Sequence, residues 1–371
     1  MMAFCAPVLK GDDHNLKRIV LTGGGTAGHV TPNLALIPAL KEKGFEIHYI
    51  GSESGIEKTL IDQVPDVIYH GVKTGKLRRY VDLKNFSDPF RVAAGAFQAA
   101  ALIGKIKPDI VFSKGGFVSV PIVYGAALNR VPVLLHESDM SPGLANKISA
   151  PFAKKMLCTF PEAAKAAGKK GVYVGTPLRE ELFSGDKERG LKRFGFDGSR
   201  PVLMITGGSS GAQAINRALR QALPQLTKVF HVLHLCGAGN LSDSLECEPN
   251  YCQVEYLTDA MPDAYAAADI VVSRAGSNSV CELIALKKPS LLIPYPLEAS
   301  RGDQILNAKS VESRGLAHVL MQGDMTTDTL VKAILQLYKE RGEIIVNLGK
   351  EKGQDGVKNV MGYIEQYAKN R

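Results

Sequence analysis

The sequence lacks an unbroken apolar run of the roughly 18 to 20 residues that a membrane-spanning helix requires. Any contact with a membrane is therefore expected to be peripheral. The first ten residues are mildly apolar, but they have no basic start and are too short for the apolar region of a secretory signal. We interpret residues 1–16 as an N-terminal tail.

Cysteine is also sparse, with six residues and no Cys-x-x-Cys pair. A disulfide framework or a structural zinc site would need closer spacing, so we interpret the cysteines as reduced and mostly buried thiols. This usage favours a cytoplasmic protein. The residues concerned are Cys5, Cys158, Cys236, Cys247, Cys252 and Cys281.

Three signatures of phosphate binding are missing. The GxxxxGK[ST] loop is absent, which argues against an ATPase. The first glycine-rich turn does not match the dinucleotide fingerprint, which leaves an NAD-dependent enzyme as a minor alternative. No Asp-x-Asp pair occurs, although enzymes that hold a diphosphate through a divalent metal commonly use one. We therefore predict no essential metal and no cofactor, because helix dipoles and backbone amides can stabilise the anion instead.

With 371 residues, 45% of them apolar and 22% charged, the chain is long enough for two globular domains. Its charge is divided unevenly. Residues 1–178 hold 22 Lys and Arg against 14 Asp and Glu, whereas the rest of the chain holds 23 of each. The whole net charge of +8 thus lies in the N-terminal half, which we expect to meet an anionic partner.

Short apolar runs bounded by Gly, Pro or Asp alternate with helical stretches along the chain. Continuous rather than alternating apolarity is typical of strands that are buried on both faces of a parallel sheet. The pattern predicts a doubly wound α/β architecture that is present twice. The predicted strands are 17–22, 46–51, 109–113, 131–137, 201–207, 230–237, 269–274 and 289–295.

The two halves of the chain open alike. LTGGGTAGH contains the end of a strand at Thr22, and ITGGSSGAQ contains the end of another at Thr206. Each is a strand, a glycine turn and a helical pattern, as at the start of an open parallel sheet. The segment GTPLREE at 175–181 has the Gly and Pro of a linker, so we place the domain boundary near Arg179.

Glycine turns between a strand and a helix let the backbone approach a phosphate, and the helix start favours an anion. Such turns occur at 23–28, 207–211 and 274–279, and a single one is as often an ordinary tight turn. In the third, Glu282 lies shortly after the helix start, where a carboxylate can accept hydrogen bonds from both hydroxyls of a ribose. The alternative is a carboxylate that the helix dipole favours.

Motifs in unbroken order along the chain carry a family resemblance. They are GGGTAGHVTPNLAL (23–36), SKGGFVSVP (113–121), LLHESDMSPGLANKI (134–148), GTPLRE (175–180), GGSSGAQAIN (207–216), and SRAGSNSVCELIALKKPSLLIPYP (273–296) with ASRGDQILNA (299–308). With them the chain resembles glycosyltransferase family 28. Within that family it is similar to the bacterial enzymes that transfer N-acetylglucosamine from UDP-N-acetylglucosamine to lipid I, an undecaprenyl-pyrophosphoryl-muramoyl-pentapeptide, giving lipid II.

The resemblance implies a GT-B fold, in which two Rossmann-like domains of doubly wound parallel sheet face each other across a cleft. The acceptor and membrane-associating domain would span 17–177, and the donor domain 178–352. A C-terminal helix within 353–371 would return to the N-terminal domain. The implied reaction is an inverting, metal-independent transfer in peptidoglycan synthesis, which serves cell-wall biogenesis, cell shape and cell division.

The resemblance also implies roles for individual residues. Glu282 would bind the ribose, the backbone of Leu257 the uracil, and Gln304 the donor sugar. Glu137 and Asp139 are possible contacts of the acceptor or the sugar, although many relatives have Gln-Asn at 138–139. The remaining implied contacts with UDP-N-acetylglucosamine are Thr26, Ala27, Gly28, Arg179, Ser209, Ser277, Asn278 and Ser279.

Inverting transfer needs a base beside the acceptor hydroxyl, and our candidate is His29 at the end of the first glycine turn. A histidine near its ordinary pKa of about 6.5 can accept a proton at neutral pH. The alternatives are that His29 caps the helix or binds the diphosphate, and that Glu137 or Asp139 is the base. His231 and His234 alternate with apolar residues on a strand, which favours satisfied core or edge imidazoles.

Segment 73–91 holds six basic residues against two acidic ones, with aromatic residues between them. Cations beside aromatics suit anionic headgroups, so we predict that Lys76, Arg78 and Arg79 hold the protein on the cytoplasmic face of the membrane. A solvated loop over a core helix is the alternative. Nucleic acid is not an expected partner, because no RNA- or DNA-binding motif accompanies the charge.

Three rival functions stay open at this point. A UDP-N-acetylglucosamine 2-epimerase would share the fold class and the donor, but would need no lipid acceptor. A diacylglycerol glycosyltransferase would differ in its acceptor. A non-catalytic module would bind the nucleotide sugar and release no UDP with any acceptor.

Overall fold

The computed structural model describes residues 16–72, 88–208, 211–297, 302–351 and 355–368, without the side chains of Ala27 and residues 88–94. Ser209, which the sequence assigns to donor binding, lies outside the described residues. So do Lys76, Arg78 and Arg79, the residues predicted to contact the membrane. The described strands form two sheets, as the apolar runs predict.

Seven strands form the first sheet. They are β1 (Lys17–Thr22), β2 (Phe45–Ser52), β3 (Val67–Val72), β4 (Ile110–Ser113), β5 (Val133–Glu137), β6 (Lys155–Cys158) and β7 (Gly171–Tyr173). Their order across the sheet is β3-β2-β1-β4-β5-β6-β7, so the strand order reverses between β1 and β4. Strand β1 pairs in parallel with both β2 and β4.

Six strands form the second sheet. They are β8 (Val202–Thr206), β9 (His231–Leu235), β10 (Tyr251–Val254), β11 (Ile270–Ser273), β12 (Ser290–Leu292) and β13 (His318–Val319). The order is β10-β9-β8-β11-β12-β13, and every neighbouring pair is parallel. The reversal falls between β8 and β11, which repeats the arrangement of the first sheet.

The eight strands predicted from continuous apolar runs are confirmed: β1, β2, β4, β5, β8, β9, β11 and β12. Strands β4, β8 and β9 are buried at every position, which explains why they contain no alternation. The runs do not predict the other five strands. The outermost strand β3 has only one buried residue, so it lacks the signal of a strand buried on both faces.

Helices follow most of the strands. They are α1 (Thr31–Glu42), α2 (Ile56–Ile61), α3 (Asp88–Ile106), α4 (Ser119–Leu128), α5 (Leu144–Ser149), α6 (Pro161–Ala166), α7 (Lys187–Arg193), α8 (Gln213–Leu226), α9 (Met261–Ala267), α10 (Ser277–Ala285), α11 (Asp303–Glu312), α12 (Thr327–Gly349) and α13 (Gly356–Tyr367). A local signal explains where α12 begins: Thr326 is its N-cap and forms a capping box with Thr329 in the first turn. Within the described ranges, no helix combines the length and hydropathy needed to cross a bilayer.

The chain divides into two compact units. The first comprises Met1–His136, Gly143–Leu157 and Val357–Arg371, and the second Glu137–Pro142 and Cys158–Gly356. Helix α13 therefore belongs mainly to the first unit, where Glu365 lies 2.9 Å from Lys43. The second unit begins before the predicted boundary near Arg179, whereas the first sheet extends to β7. The limits of the functional domains stay a prediction.

No disulfide joins the five cysteines that the structure describes. Cys158 and Cys236 are buried, as expected, whereas Cys247 is exposed. Burial raises the pKa of the Cys158 thiol to about 12, and the nearby Glu137 carboxylate adds to this effect. Cys158 is therefore protonated at neutral pH.

Candidate active site

Both sheets reverse their strand order beside their first strand, and this geometry defines where a ligand can bind. In open parallel sheets, ligands bind outside the carboxyl ends of the strands at such a reversal. In the first sheet the reversal is bordered by the glycine turn after β1 and by Lys114-Gly115-Gly116 after β4. In the second it is bordered by Gly207 and Gly208 after β8 and by Arg274-Ala275-Gly276 after β11.

Glu57, a residue for which the sequence predicted no role, forms a hydrogen bond with the glycine turn after β1. The Glu57 side chain is fully buried. Its carboxylate accepts hydrogen bonds from the Gly25 amide (3.2 Å), the Ser52 amide (3.0 Å) and the Ser52 hydroxyl. Burial alone would raise the pKa of Glu57, but these hydrogen bonds outweigh it and the pKa is lowered. Glu57 is therefore ionised at neutral pH.

His29 ends the first glycine turn. Its Nδ1 atom lies 2.9 Å from Thr26 Oγ1, and its backbone N–H donates to the Thr26 carbonyl at 3.1 Å. Burial and then the positive charge of Lys114 lower the pKa of His29 to about 4, against the opposing effects of a Gly24 backbone hydrogen bond and Glu57. The expectation of an ordinary pKa near 6.5 is therefore wrong: the imidazole is neutral at pH 7 and weakly basic.

Lys114 is the second residue at this site that sequence reasoning missed. It follows β4 directly, its backbone N–H donates to the Thr22 carbonyl at 2.8 Å, and its side chain is 1% exposed. Two residues later, a Cβ atom at Gly116 would lie 2.4 Å from the Gly24 carbonyl oxygen. Only glycine therefore lets the two turns approach this closely. The SKGG motif contains this signal, but a lysine in a turn is usually solvated.

The glycine turn after β11 leads into α10, whose N-cap is Gly276. Glu282 lies inside this helix, and its Oε2 accepts a hydrogen bond from the buried Tyr265 hydroxyl at 3.0 Å. Burial raises the pKa of Glu282, while the Tyr265 hydrogen bond and the charge of Arg179 oppose the rise. The positive charge of Arg179 therefore acts on the Glu282 carboxylate, while the donor-binding roles of both residues stay predictions. The other Glu282 oxygen, Oε1, faces no donor that would fix it among the described hydrogen bonds.

Gln304 and Asn278 also lie at this turn. The Gln304 Nε2 atom is 3.9 Å from the position that a Cβ at Gly276 would take, and Gln304 Oε1 accepts from the Tyr295 amide at 3.2 Å. Asn278 Oδ1 is buried and has no hydrogen-bond partner among the described residues. A buried acceptor without a donor is costly, so a ligand donor here would be favourable.

Two buried polar residues that the sequence analysis did not predict fix the shape of the same turn. Arg274 donates from Nη1 to the Ile293 carbonyl at 3.0 Å, and its guanidinium lies 4.0 Å from the centre of the Tyr295 ring. Asn307 Nδ2 donates to the Ala275 carbonyl at 3.2 Å. The Asn307 side chain therefore satisfies the Ala275 carbonyl, Arg274 holds the turn against the segment after β12, and the amides at the α10 start are left for a ligand.

The remaining predicted residues are placed as follows. Leu257 lies in the loop between β10 and α9, at the carboxyl side of the second sheet. Ser277 and Ser279 are partly exposed in the first turn of α10. In the glycine turn after β1, Thr26 is exposed and Gly28 is partly exposed, while the Ala27 side chain is not described.

Glu137 ends β5 and is 5% exposed, and its Oε1 accepts from the Asp139 amide at 3.1 Å. In the same loop, the Ser141 hydroxyl donates to Asp303 Oδ1 at 3.2 Å. These contacts do not decide between Glu137 and Asp139 as acceptor contacts or alternative bases. Both roles stay predictions.

Both strand histidines are buried, as predicted, but only His234 has hydrogen-bond partners at both ring nitrogens among the described residues, since His231 Nδ1 has none. His234 is fully buried, with Nδ1 2.8 Å from the Tyr251 hydroxyl and Nε2 3.0 Å from Asn216 Oδ1. His231 Nε2 lies 2.8 Å from Asp197 Oδ1. Burial, followed by the charge of Arg220, lowers the pKa of His234 to about 3, so this imidazole is neutral in the core.

Two doubly wound parallel sheets in one chain, each with a glycine turn at its strand reversal, are the architecture of GT-B glycosyltransferases. Two family models match the chain, the glycosyltransferase family 28 N-terminal domain over residues 19–158 and the glycosyltransferase family 28 C-terminal domain over residues 202–360. The chain belongs to glycosyltransferase family 28.

Individual relatives agree with this assignment. The UDP-N-acetylglucosamine–N-acetylmuramyl-(pentapeptide) pyrophosphoryl-undecaprenol N-acetylglucosamine transferase of Lachnospira eligens is 54% identical over 355 residues, which cover 95% of this chain and 100% of that protein. The protein of the same name from Clostridium novyi is 51% identical over 354 residues, covering 95% and 99%. The crystal structure of Acinetobacter baumannii MurG matches with a TM-score of 0.77 at 25% identity, covering 94% of this chain and 99% of that one.

Proposed function

We propose that this chain transfers N-acetylglucosamine from UDP-N-acetylglucosamine to lipid I, releasing UDP and forming lipid II for peptidoglycan synthesis. The observation that carries the proposal is the 54% identity to a transferase of that name over 95% of this chain. The same match favours this function over the epimerase and the diacylglycerol transferase. The glycosyltransferase class follows from the family itself.

The donor binds at the carboxyl edge of the second sheet. The free amides at the start of α10 and its dipole stabilise the diphosphate, with Ser277–Ser279 around it. Glu282 accepts the ribose hydroxyls, since Tyr265 occupies only its Oε2 and orients the group. Gln304 lies beside the same turn and contacts the sugar. The remaining predicted donor contacts are Leu257, Arg179 and Ser209, together with Thr26, Ala27 and Gly28 of the first glycine turn.

His29 acts as the general base. In the tautomer with the proton on Nδ1, the atom that lies 2.9 Å from Thr26 Oγ1, Nε2 carries the lone pair that can accept the proton of the acceptor hydroxyl. A pKa of about 4 keeps this lone pair available at pH 7, but makes the free imidazole a weak base. Proton transfer is therefore coupled to attack of the hydroxyl oxygen on the anomeric carbon, which acidifies the hydroxyl as the bond to UDP breaks and the configuration inverts.

The first unit contacts the cytoplasmic face of the membrane. Besides the predicted segment 73–91, this unit exposes Phe97 on α3 and Phe152 after α5, at 74% and 41% of their surfaces. Phe152 lines a depression together with the cations Arg130 and Lys154. Exposed aromatics beside cations suit the interface of an anionic membrane. A polyprenyl acceptor stays in the bilayer, so this contact would bring the enzyme to it.

The test of the transfer is UDP release from UDP-N-acetylglucosamine, with and without a lipid I analogue, together with mass analysis of the lipid product. The proposal requires UDP release that depends on the analogue and a product heavier by one N-acetylglucosamine. Conversion of free UDP-N-acetylglucosamine without acceptor would establish the epimerase instead. Release with diacylglycerol alone would establish the other transferase, and binding without release a non-catalytic module.

The test of the membrane contact is sedimentation with vesicles of anionic phospholipid at low salt. Changing Lys76, Arg78 and Arg79 together to Glu should abolish sedimentation and slow turnover on bilayer-embedded acceptor, while turnover on a soluble analogue stays unchanged. The matched control, with the same change of charge in the second unit, replaces Lys192, Arg193 and Lys228, which are all exposed. Equal sedimentation of the first variant and the unaltered protein would exclude segment 73–91 as the anchor.

A further inference from the structure

Glu57 is a buried carboxylate that the proposed reaction does not use. It lies near the start of α2, shortly after β2, and its carboxylate contacts the glycine turn that follows β1. A Cβ atom at Gly24 would lie 2.6 Å from the carboxyl carbon of Glu57, and one at Gly55 would lie 2.3 Å from its Oε1. Two glycines from separate parts of the chain therefore make room for this one side chain.

The Glu57 contact uses an amide that a phosphate would otherwise use. In phosphate-binding turns, backbone N–H groups of the glycine segment point at the ligand oxygens. Here the Gly25 N–H donates to Glu57 Oε2 at 3.2 Å, from a backbone with φ of +84° that favours glycine. Ser52 supplies two further donors, through its amide and its hydroxyl. The carboxylate has the hydrogen-bonding environment of a bound anion.

We propose that Glu57 fills the anion position of the first glycine turn from within the protein and is a positioning residue for His29. A negative charge at this place would repel a diphosphate from the Gly25 amide. With its Gly25 amide occupied by Glu57, the first glycine turn supports proton transfer, whereas the turn before α10 binds the donor. Where it concerns His29, the inference rests on the proposed function.

The connection to His29 is short and made of backbone. Holding the Gly25 N–H orients the Gly24–Gly25 peptide, one peptide unit before Thr26, whose hydroxyl lies 2.9 Å from His29 Nδ1. The His29 N–H in turn donates to the Thr26 carbonyl at 3.1 Å. The turn from Gly25 to His29 is therefore held at both ends. Loss of the carboxylate would free the turn and misplace the imidazole, which is costly for catalysis even at about 1 Å.

A double-mutant cycle between Gly24 and Glu57 tests this arrangement. Glu57→Ala should lower kcat at least tenfold, while the Kd for UDP changes less than twofold. Gly24→Ala should lower kcat at least tenfold in the unaltered protein, because the new methyl group displaces the carboxylate. In the Glu57→Ala background the same change should cost less than twofold, because the obstruction is gone. An equal cost in both backgrounds, or a loss of UDP affinity with unchanged kcat, would overturn the proposal.

A second measurement does not depend on transferase activity. Hydrogen exchange of the Gly25 amide should be at least tenfold faster in Glu57→Ala than in the unaltered protein, while exchange in α10 stays the same. Unchanged exchange at Gly25 would refute the anion-position role even if the enzyme were active. Faster exchange in a protein without transferase activity would leave this role standing and reject the proposed function. If Glu57→Ala does not fold, Glu57→Gln, which keeps the shape of the side chain but removes its negative charge, is measured in the same way, with faster exchange again expected and unchanged exchange again refuting.

Discussion

The glycine turns after β1 and β11 begin with the same geometry, but different groups complete them. Beside the first turn lie the buried charges of Glu57 and Lys114, and the Gly25 amide is already bound. At the second turn, Asn307 satisfies the Ala275 carbonyl, while Asn278 Oδ1 lacks a partner among the described residues. The same supersecondary motif thus has its Gly25 amide occupied by a carboxylate in one half, whereas in the other half it leads into the helix start that we propose as the diphosphate site.

Each of the two sites contains an ionisable group whose pKa is shifted by burial. Burial lowers the pKa of His29 and raises that of Glu282, because burial disfavours the charged form of each. His29 must be neutral to accept a proton, so its shift favours its role. Glu282 must be charged to bind ribose strongly, and Tyr265 and Arg179 counteract the burial. Variants in each half should therefore separate catalysis from donor binding.

The largest effect is expected for His29→Ala. If the imidazole is the general base, kcat should fall by roughly 10² to 10⁴, with a much smaller change in the KM for UDP-N-acetylglucosamine. His318→Gln is the control, because His318 only pairs with Glu340 at 2.8 Å on the outermost strand of the second sheet. A variant whose donor KM rises while kcat stays normal would make His29 a diphosphate ligand and remove the contrast between the turns.

Glu282→Ala should produce the opposite pattern. Hydrogen bonds to a charged acceptor contribute roughly 1.5 to 3 kcal/mol each, so the donor KM should rise about 10- to 100-fold. Tyr265→Phe should have a smaller effect, because it removes only the donor that orients Glu282. Steady-state kinetics at saturating acceptor provide the measurement, with Glu365→Ala as a surface control. An unchanged donor KM in a folded Glu282→Ala protein would reject the ribose role.

The pH dependence should separate the two sites without any substitution. As pH falls, Glu282 takes up a proton first, because its pKa is raised, and donor affinity should weaken. His29 takes up a proton only near its pKa of about 4, so the base stays available over that interval. The donor KM should therefore rise before kcat declines. Profiles of both constants between pH 4 and pH 8 test this order, and a decline of kcat centred near pH 6.5 would contradict it.

The smallest effect is expected for metal removal. Because the start of α10 supplies a positive field and backbone amides for the diphosphate, excess chelator should leave the rate within about twofold. The assay compares UDP release in EDTA with release in added magnesium. Loss of activity in EDTA that magnesium restores would show that the second turn does not suffice for the leaving group.

The central strands could be predicted because burial on both faces leaves a continuous apolar run, as in β8 and β9. The outermost strand β3 has mixed burial and could not be distinguished from a loop in this way. Glu282 could be proposed as a ribose ligand from the sequence, because it lies only a few residues after a glycine turn and a helix fixes that separation. The contact of Glu57 could not be predicted, because GIEKTL predicts only an ordinary helix start. Gly25, whose amide Glu57 binds, lies 32 residues earlier.

The sequence by itself determined the two doubly wound halves, the positions of the glycine turns and the family, because these depend on local periodicity and short motifs. Only the tertiary structure decided that Glu57 binds the Gly25 amide, that Lys114 is buried, and that the pKa of His29 lies near 4. The reason is physical. Desolvation and charge interactions act through space, and they depend on which distant segments the fold brings together.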